Sequence, residues 1–251
     1  MLAFALFILG SIFGSFYNVC IYRLPNNLDV VKKNSFCPNC NYQIPFYRNI
    51  PIISFIQNLG KCNNCNKAIS LSYLIVEIST AILFVIAYLK FDLSVEFFSY
   101  VLFYSSLIII FFTDFKYYLI LDKITYPISF VGLALVVFDF NPFSVTIIES
   151  VLGGSVGFFV IYLIRYLFFK IRKIEGMGLG DAKLFLMIGI WLGIKSIYLV
   201  LASSALVGAL VGAFIIFKYK KDKDFHIPYG CFIVIASMIY PEVGDLFYSL
   251  I

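Results

Sequence analysis

Charged residues are scarce in this sequence. They make up 13% of its 251 residues, and the chain contains a single histidine and a single tryptophan. Soluble globular domains carry about 25% charged and about 45–50% apolar residues, whereas hydrophobic residues here reach 62% and the mean hydropathy is +0.96. This composition excludes a soluble domain, a disordered chain, a coiled coil, a disulfide-rich secreted scaffold and a nucleic-acid-binding protein, because each needs a polar majority or a basic surface.

Most of the sequence consists of long hydrophobic runs. A membrane-spanning helix needs about 20 consecutive apolar residues, and the runs predict an all-α polytopic membrane protein with about eight transmembrane helices. The first run has no basic segment before it and no small-residue cleavage site after it, so we interpret it as a retained helix and not a signal peptide. The predicted spans cover residues 2–21, 73–89, 97–113, 124–138, 145–169, 184–194, 197–217 and 227–241.

The few cations are distributed unevenly among the predicted loops. With eight spans, 17 of the 19 lysines and arginines lie on one side of the membrane, and only Lys90 and Lys195 lie on the other. Cytoplasmic loops carry an excess of Lys and Arg, so the first side is predicted to be cytoplasmic, and the net charge of +5 reflects topology. We expect a first transmembrane helix over 1–22, a cytoplasmic loop over 23–72 and a transmembrane domain over 73–251.

Two Cys-x-x-Cys pairs lie in the long polar loop. Cys37 with Cys40 and Cys62 with Cys65 are separated by 21 residues, slightly more than the usual spacing of about 15–20 residues for a four-cysteine zinc site. Disulfides or redox pairs are the alternatives, but a reducing cytoplasm disfavours disulfides, and no βαβ pattern supports a redox motif. The pattern therefore predicts a structural zinc site that holds the loop folded and takes no part in chemistry. No internal repeat is evident.

Two carboxylates are predicted at the ends of spans. Asp114 ends the third span, and Asp181 opens the sixth after a glycine-rich stretch. If these ends are adjacent, the two carboxylates can share one proton, so that one activates a water and the other protonates a carbonyl oxygen, as in aspartic proteases. Taken singly, Asp181 is also explained as a helix N-cap, and Asp114 as an interfacial residue paired with Lys116.

Together and in this order, these motifs resemble the type IV prepilin peptidases, which are bifunctional leader peptidases and N-methyltransferases of type IV pilus and type II secretion systems. The resemblance covers nearly the whole chain, and no single element of it would be specific alone. The stretches that carry it are 14–25, the four cysteines, 49–54, 60–62, 69–70, 73, 76–77, Asp114, Asp122, 178–181 and 227–230.

The resemblance implies a membrane aspartic peptidase of the GxGD type in the bacterial inner membrane, with Asp114 and Asp181 as its catalytic pair. It implies prepilin or pseudopilin substrates with a short basic leader, cut at the cytoplasmic face after a glycine. It also implies methylation of the new N-terminus with S-adenosylmethionine, an activity associated with the cytoplasmic loop, where Gly60 and Lys61 match the cofactor-binding stretch. No nucleic-acid partner is expected, and the sequence does not indicate an oligomeric state.

The chain departs from the family pattern at several positions. Lys116 and Leu121 stand where an acid and a proline are common, which favours a solvated loop or cap role for Asp122. Cys231 stands where proline is common, and we expect this to alter only the local start of a helix. Glu77 has no derivable role, and the single histidine, His226, is interpreted as a loop residue.

Two other functions account for part of the pattern. A non-catalytic membrane assembly protein would explain the cysteines, which would fold a docking loop, but would leave the two carboxylates unexplained. A transporter would place an acidic residue at the membrane midplane, whereas Asp114 and Asp181 are predicted at the membrane edge.

Overall fold

The computed structural model describes residues 1–31, 35–45, 49–173, 178–219 and 227–249. Within these residues the fold is all-helical and contains no strand; two isolated β-bridges lie in the loop after the first helix. The helices are α1 (Leu2–Arg23), α2 (Ile53–Gln57), α3 (Ser72–Phe91), α4 (Val95–Tyr117), α5 (Asp122–Val137), α6 (Ile147–Arg172), α7 (Leu179–Leu192), α8 (Ile194–Tyr219) and α9 (Tyr229–Ser249).

Each of the eight predicted spans overlaps one of these helices, whereas α2 was not predicted. By length and composition, five helices are able to cross a membrane, and α9 contains a shorter apolar stretch. Because α5 and α7 have only 16 and 14 residues, the count of eight spans stays a prediction. The five membrane-compatible segments are Leu2–Arg23, Ser72–Phe91, Val95–Tyr117, Ile147–Ile171 and Ile194–Lys218.

The bounds of the sixth predicted span were wrong. Helix α7 begins at Leu179 and not at residue 184, because the Asp181 carboxylate accepts the backbone N–H of Gly178 at 3.1 Å and so caps an earlier first turn. It ends at Leu192, before Gly193, whose φ of +76° leaves the helical region. Capping and glycine conformation thus set bounds that hydrophobicity alone does not show.

Residues Met1–Val101 form one compact unit, called unit 1. Helices α1 and α3 run antiparallel in it and approach closely: a Cβ built on Gly14 would lie 2.7 Å from the Cα of Glu77. Further along the same pair, the Asn18 side-chain amide donates to the backbone carbonyl of Tyr73 at 2.9 Å. The loop between α1 and α3 therefore begins and ends at the same end of this helix pair.

Residues Leu102–Ile251 form the second unit, called unit 2. Its central helix is α7, which is buried on nearly all sides. The Trp191 ring stacks on Phe103 with centroids 4.9 Å apart, and its indole N–H donates to the Ile128 carbonyl at 2.9 Å. Helix α7 is therefore surrounded by protein on nearly all sides, and this burial accounts for its apolar sequence.

Helices α6 and α7 run antiparallel with their backbones in contact. A Cβ on Gly189 would overlap the backbone of Gly153, so both positions require glycine. Nearby, the hydroxyl of the buried Ser150 donates to the carbonyl of Ile190 at 2.8 Å. Small residues that allow such close approach are typical of helix pairs in membranes.

Candidate functional site

The first Cys-x-x-Cys pair of unit 1 forms a tight turn closed by a β-bridge between Phe36 and Gln43. The N–H of Asn41 donates to the carbonyl of Cys37 at 2.9 Å. Asn41 has a φ of +55°, a left-handed conformation that asparagine tolerates better than most residues. Within this turn Cys37 is buried and Cys40 is half-buried.

The second pair repeats this geometry 25 residues later. Lys61 pairs with Ala68, the N–H of Asn66 donates to the carbonyl of Cys62 at 2.9 Å, and Asn66 also has a φ of +55°. Residues 35–44 and 60–69 share five identical residues at this offset. The expectation of no internal repeat was therefore wrong: aligning the chain with itself across the cysteines would have revealed the two matching turns.

The four cysteine sulfurs meet in one cluster. All four lie within 4.8 Å of one another; Cys37 Sγ is 4.0 Å from Cys65 Sγ, and Cys40 Sγ is 3.9 Å from Cys62 Sγ. A tetrahedral zinc with bonds of about 2.3 Å would hold its sulfur ligands about 3.8 Å apart. The residues present therefore fit the metal that the sequence predicts, and all four cysteines would be its ligands.

Backbone donors around the cluster favour thiolates. The N–H groups of Cys65 and Asn64 lower the pKa of the Cys62 thiol to about 6, and the N–H of Tyr42 lowers the pKa of Cys40. At Cys65 the N–H of Lys67 also lowers the pKa. Desolvation and the neighbouring thiols outweigh it, so the pKa of Cys65 is raised to about 11. Four thiolates this close repel one another, so a bound cation is needed to keep them all charged.

The stretch predicted to bind the methyl donor borders a cavity. Gly60 is buried and has a φ of +65°, and a Cβ added there would lie 3.0 Å from the Phe55 ring. Lys61 follows it and lines a cavity of about 360 Å³ that the loop forms with α1 and α3. Gly60 thus shapes the loop beside this cavity.

Glu77 lines the same cavity and holds the loop. It is 8% exposed, and its Oε2 accepts the backbone N–H of Ile52 at 2.7 Å. Ile52 has a φ of +63°, and the N–H of Ile53 donates to the carbonyl of Pro51 at 2.6 Å, which makes a γ-turn of the rare strained form. No role for Glu77 was predictable from the sequence, because its partner is a backbone group 25 residues away.

In unit 2, Asp114 lies at the end of α4 and is 5% exposed. Its Oδ2 accepts the backbone N–H of Cys231 at 3.1 Å, in the first turn of α9. Asp114 and Lys116 are two residues apart and so point in different directions on the helix. The carboxylate is therefore held by the start of α9, which the sequence did not predict.

The role expected for Cys231 was wrong. Its N–H reaches Asp114, and its thiol donates to the Phe111 carbonyl at 3.4 Å. Proline has no N–H, so the residue at position 231 decides whether Asp114 receives this hydrogen bond. Cysteine in place of proline at position 231 therefore affects the Asp114 carboxylate as well as the start of α9.

Asp181 is the third residue of α7 and is 7% exposed. Gly178 is the N-cap, and its N–H donates to Asp181 Oδ2 at 3.1 Å. The N-cap interpretation of Asp181 was therefore wrong in position, although the carboxylate does cap its own helix. Asp114 is near enough for its charge to act on Asp181.

Contacts of the Ile120 side chain join the two segments in which Gly180 precedes Asp181 and Gly230 lies beside Asp114. A Cβ on Gly180 would lie 2.9 Å from Ile120 Cβ, and a Cβ on Gly230 would lie 3.0 Å from Ile120 Cδ1 and 2.8 Å from Asp114 Oδ2. The end of α4 and the starts of α7 and α9 therefore meet near Ile120, where Asp114 lies next to Gly230 and Asp181 follows Gly180 in the chain. Sequence reasoning missed this residue, because an isoleucine in a short loop carries no chemical signal.

Asp122 lies outside this cluster of carboxylates and has a partner of its own. Both of its oxygens accept from Lys183 Nζ at 2.7 Å, and the Lys183 ammonium lies 5.4 Å from the centre of the Tyr126 ring. Asp122 is the first residue of α5 and is largely exposed, but Leu121 is the N-cap and the Asp122 carboxylate pairs with Lys183, so it is neither a loop residue nor the cap. Gly176, Met177 and His226 lie outside the described residues.

Comparison with known families gives two matches along the chain. Residues 8–91 match the model of the bacterial peptidase A24 N-terminal domain, and residues 101–213 match the model of the type IV leader peptidase family. The first match contains the four cysteines and Glu77, and the second contains Asp114 and Asp181.

Curated proteins similar to this chain share one name. The prepilin leader peptidase/N-methyltransferase of Vibrio cholerae is 36% identical over 247 residues, covering 92% of this chain and 93% of the relative. The protein of that name from Bacillus subtilis is 34% identical over 241 residues, with 96% and 94% covered. The one from Pseudomonas aeruginosa is 29% identical over 269 residues, with 97% and 92% covered. No solved structure matches the chain.

Proposed function

Because the chain belongs to the type IV leader peptidase family, we propose that it cleaves the leader from prepilin-like proteins and methylates the new N-terminus. The structural observation that supports cleavage most strongly is that Asp114 and Asp181 are both buried and near enough to interact through their charges. Burying ionisable groups within membrane helices costs free energy, so carboxylates found there are by default interpreted as functional.

In the proposed reaction, Asp114 and Asp181 share one proton. The ionised carboxylate takes a proton from a water, whose oxygen attacks the scissile carbonyl carbon, while the protonated one donates its proton to the carbonyl oxygen. The tetrahedral intermediate then collapses: one of its hydroxyls returns a proton to the ionised carboxylate, the C–N bond breaks, and the amine nitrogen takes up the proton removed from the water. This chemistry needs neither a metal nor a nucleophilic side chain.

We propose eight spans with both carboxylates at the cytoplasmic face of the bacterial inner membrane. Alternating spans put the end of α4 and the starts of α7 and α9 on one side, and contacts join these three helix ends. That side carries 17 of the 19 lysines and arginines, which supports a cytoplasmic orientation. Five membrane-compatible helices and the family support a multi-pass inner membrane protein.

The four cysteines would hold a structural zinc in the loop that joins α1 to α3. The relatives' name includes N-methyltransferase, so we assign methyl transfer from S-adenosylmethionine to unit 1. In that reaction the carbon–sulfur bond of the donor breaks, and a carbon–nitrogen bond to the deprotonated N-terminal amine forms. Sulfur keeps the electron pair and becomes a neutral thioether, and the proton lost by the amine goes to solvent.

The test is to co-express the chain with a prepilin that carries a basic leader and to determine the intact mass of the substrate. We expect leader loss and one added methyl group with the wild type, and an uncleaved substrate with Asp114→Ala or Asp181→Ala. If a panel of prepilins stays uncleaved although the wild-type protein is folded and zinc-loaded, the proposal is refuted and a membrane assembly role is favoured.

A further inference from the structure

The cavity in unit 1 has the size of a small-molecule site. Its volume is about 360 Å³, within the range of about 300–1,000 Å³ that is usual for ligand pockets. Its wall combines apolar and aromatic side chains with many serine, asparagine and charged side chains. The aromatic side chains that line it are Tyr22, Phe36, Tyr42, Phe55 and Tyr73.

Glu77 is the acidic side chain in this wall. Its carboxylate accepts hydrogen bonds from the Ile52 N–H and from the Ser15 side chain, and among the described residues no cation pairs with it. A buried carboxylate without a cation is costly. A cationic group of a ligand could therefore pair with a carboxylate that has no direct ion pair among the described residues.

The strained γ-turn at Ile52 lies at the same place. A β-branched residue with positive φ persists only where its surroundings hold it, and such strain clusters at ligand-binding and active sites. Here the Glu77 carboxylate fixes the turn through the Ile52 N–H. The side chain that fixes this turn therefore also faces the cavity, and among the described residues it has no cationic partner.

Three cationic side chains also line the wall, those of Arg23, Lys61 and Lys67, and Lys61 lies in the stretch predicted to bind the methyl donor. A ligand with a carboxylate would pair with the Lys61 ammonium, a cationic centre would pair with Glu77, and a flat aromatic base would stack on the rings. S-adenosylmethionine has these three parts: an amino-acid carboxylate, a sulfonium and an adenine.

We propose that this cavity binds the sulfonium methyl donor and that the Glu77 carboxylate is the counter-ion of the sulfonium, an inference that rests on the proposed methyltransferase activity. When the methyl group leaves, the sulfur becomes neutral and loses its attraction to Glu77. The product thioether therefore binds more weakly than the donor, which favours its release.

The experiment measures binding to the purified, zinc-loaded full chain by calorimetric titration with S-adenosylmethionine and, separately, with S-adenosylhomocysteine. Glu77→Gln keeps an oxygen that can accept the Ile52 N–H but removes the charge. We expect it to weaken binding of the donor at least about tenfold, as loss of one member of a buried charge pair does, and to weaken binding of the thioether, which lacks the sulfonium charge, less.

Glu96→Gln is the matched control. It makes the same chemical change in unit 1, at the start of α4, where Glu96 bonds with Ser94 and lies outside the cavity. We expect its affinity for both ligands to equal that of the wild type. A second variant, Ser54→Trp, fills the cavity from α2 and is expected to abolish binding of both ligands while zinc content stays unchanged.

Unchanged donor affinity in Glu77→Gln and in Ser54→Trp would overturn the assignment of the cavity. Equal weakening of both ligands by Glu77→Gln would overturn the sulfonium pairing. If the wild type transfers methyl groups but these variants bind normally, only this inference fails. If the wild type cleaves prepilin but neither binds the donor nor methylates, the proposed methyltransferase activity itself fails.

Discussion

Replacing Gly230 by alanine tests whether the position of the Asp114 carboxylate matters. The added Cβ would lie 2.8 Å from Asp114 Oδ2 and 3.0 Å from Ile120 Cδ1, whereas ordinary contacts begin near 3.4 Å. The carboxylate must therefore retreat by about 0.6 Å, the difference between these distances. Since its Oδ2 accepts the Cys231 N–H at 3.1 Å, this movement also strains the hydrogen bond that orients it.

A displacement of about 1 Å at a catalytic group can cost about 10²-fold in rate, so we expect Gly230→Ala to lower kcat/KM for prepilin cleavage by about 10- to 100-fold. Alanine has the higher helix propensity, so the loss is not expected to come from unfolding. The assay is the initial rate of leader release by purified protein in lipid nanodiscs, with thermal unfolding measured in parallel.

Gly208→Ala provides the matched control. Its Cβ would come no closer than 3.4 Å, to Phe232 Cδ2, which is an ordinary contact. We expect wild-type cleavage from this variant. If Gly230→Ala also cleaves at the wild-type rate, the argument that the start of α9 positions Asp114 is refuted.

Three further predictions concern the metal, the exposed ion pair and helix packing. Cys37→Ser or Cys62→Ser should lose zinc by metal analysis and lower methylation more than cleavage, because the loop loses its support; equal retention of both activities would contradict this. Asp122→Asn should change stability by no more than about 1 kcal/mol, as exposed ion pairs do, and should leave cleavage near wild type; a large loss of cleavage would give Asp122 a catalytic role. Gly189→Ala should destabilise the protein by about 1–3 kcal/mol in thermal unfolding, because the added Cβ would overlap the backbone of Gly153. An unchanged melting temperature would refute the close packing of α6 and α7.

The helices of the bundle were predictable from sequence, because an apolar run long enough to cross a membrane has few alternatives to a helix. The short helices were harder: α7 has the hydrophobicity of a span, yet it is buried against protein. Local capping by Asp181 and the conformation of Gly193 set its ends. A hydrophobicity profile predicts neither the cap nor the glycine conformation.

The chemical groups of the site were also readable from sequence, since cysteine spacing and carboxylates at span ends are local patterns. Their supports were not, because these are contacts between distant segments. The Cys231 N–H that orients Asp114 is 117 residues away, and the Ile52 N–H bound by Glu77 is 25 residues away. Backbone donors carry no residue signature, and so neither support could be found without the fold.

The most direct test of the central claim is the rate of leader cleavage by Asp114→Asn and Asp181→Asn, each compared with Asp122→Asn in the same membrane preparation. Asparagine keeps the shape of each side chain and removes its ability to exchange a proton. General acid–base groups contribute about 10²–10⁴-fold to a rate, so we predict that each of the first two variants cleaves at least about 10²-fold more slowly, with zinc content unchanged. Cleavage near the wild-type rate by either of them would contradict the two-aspartate mechanism.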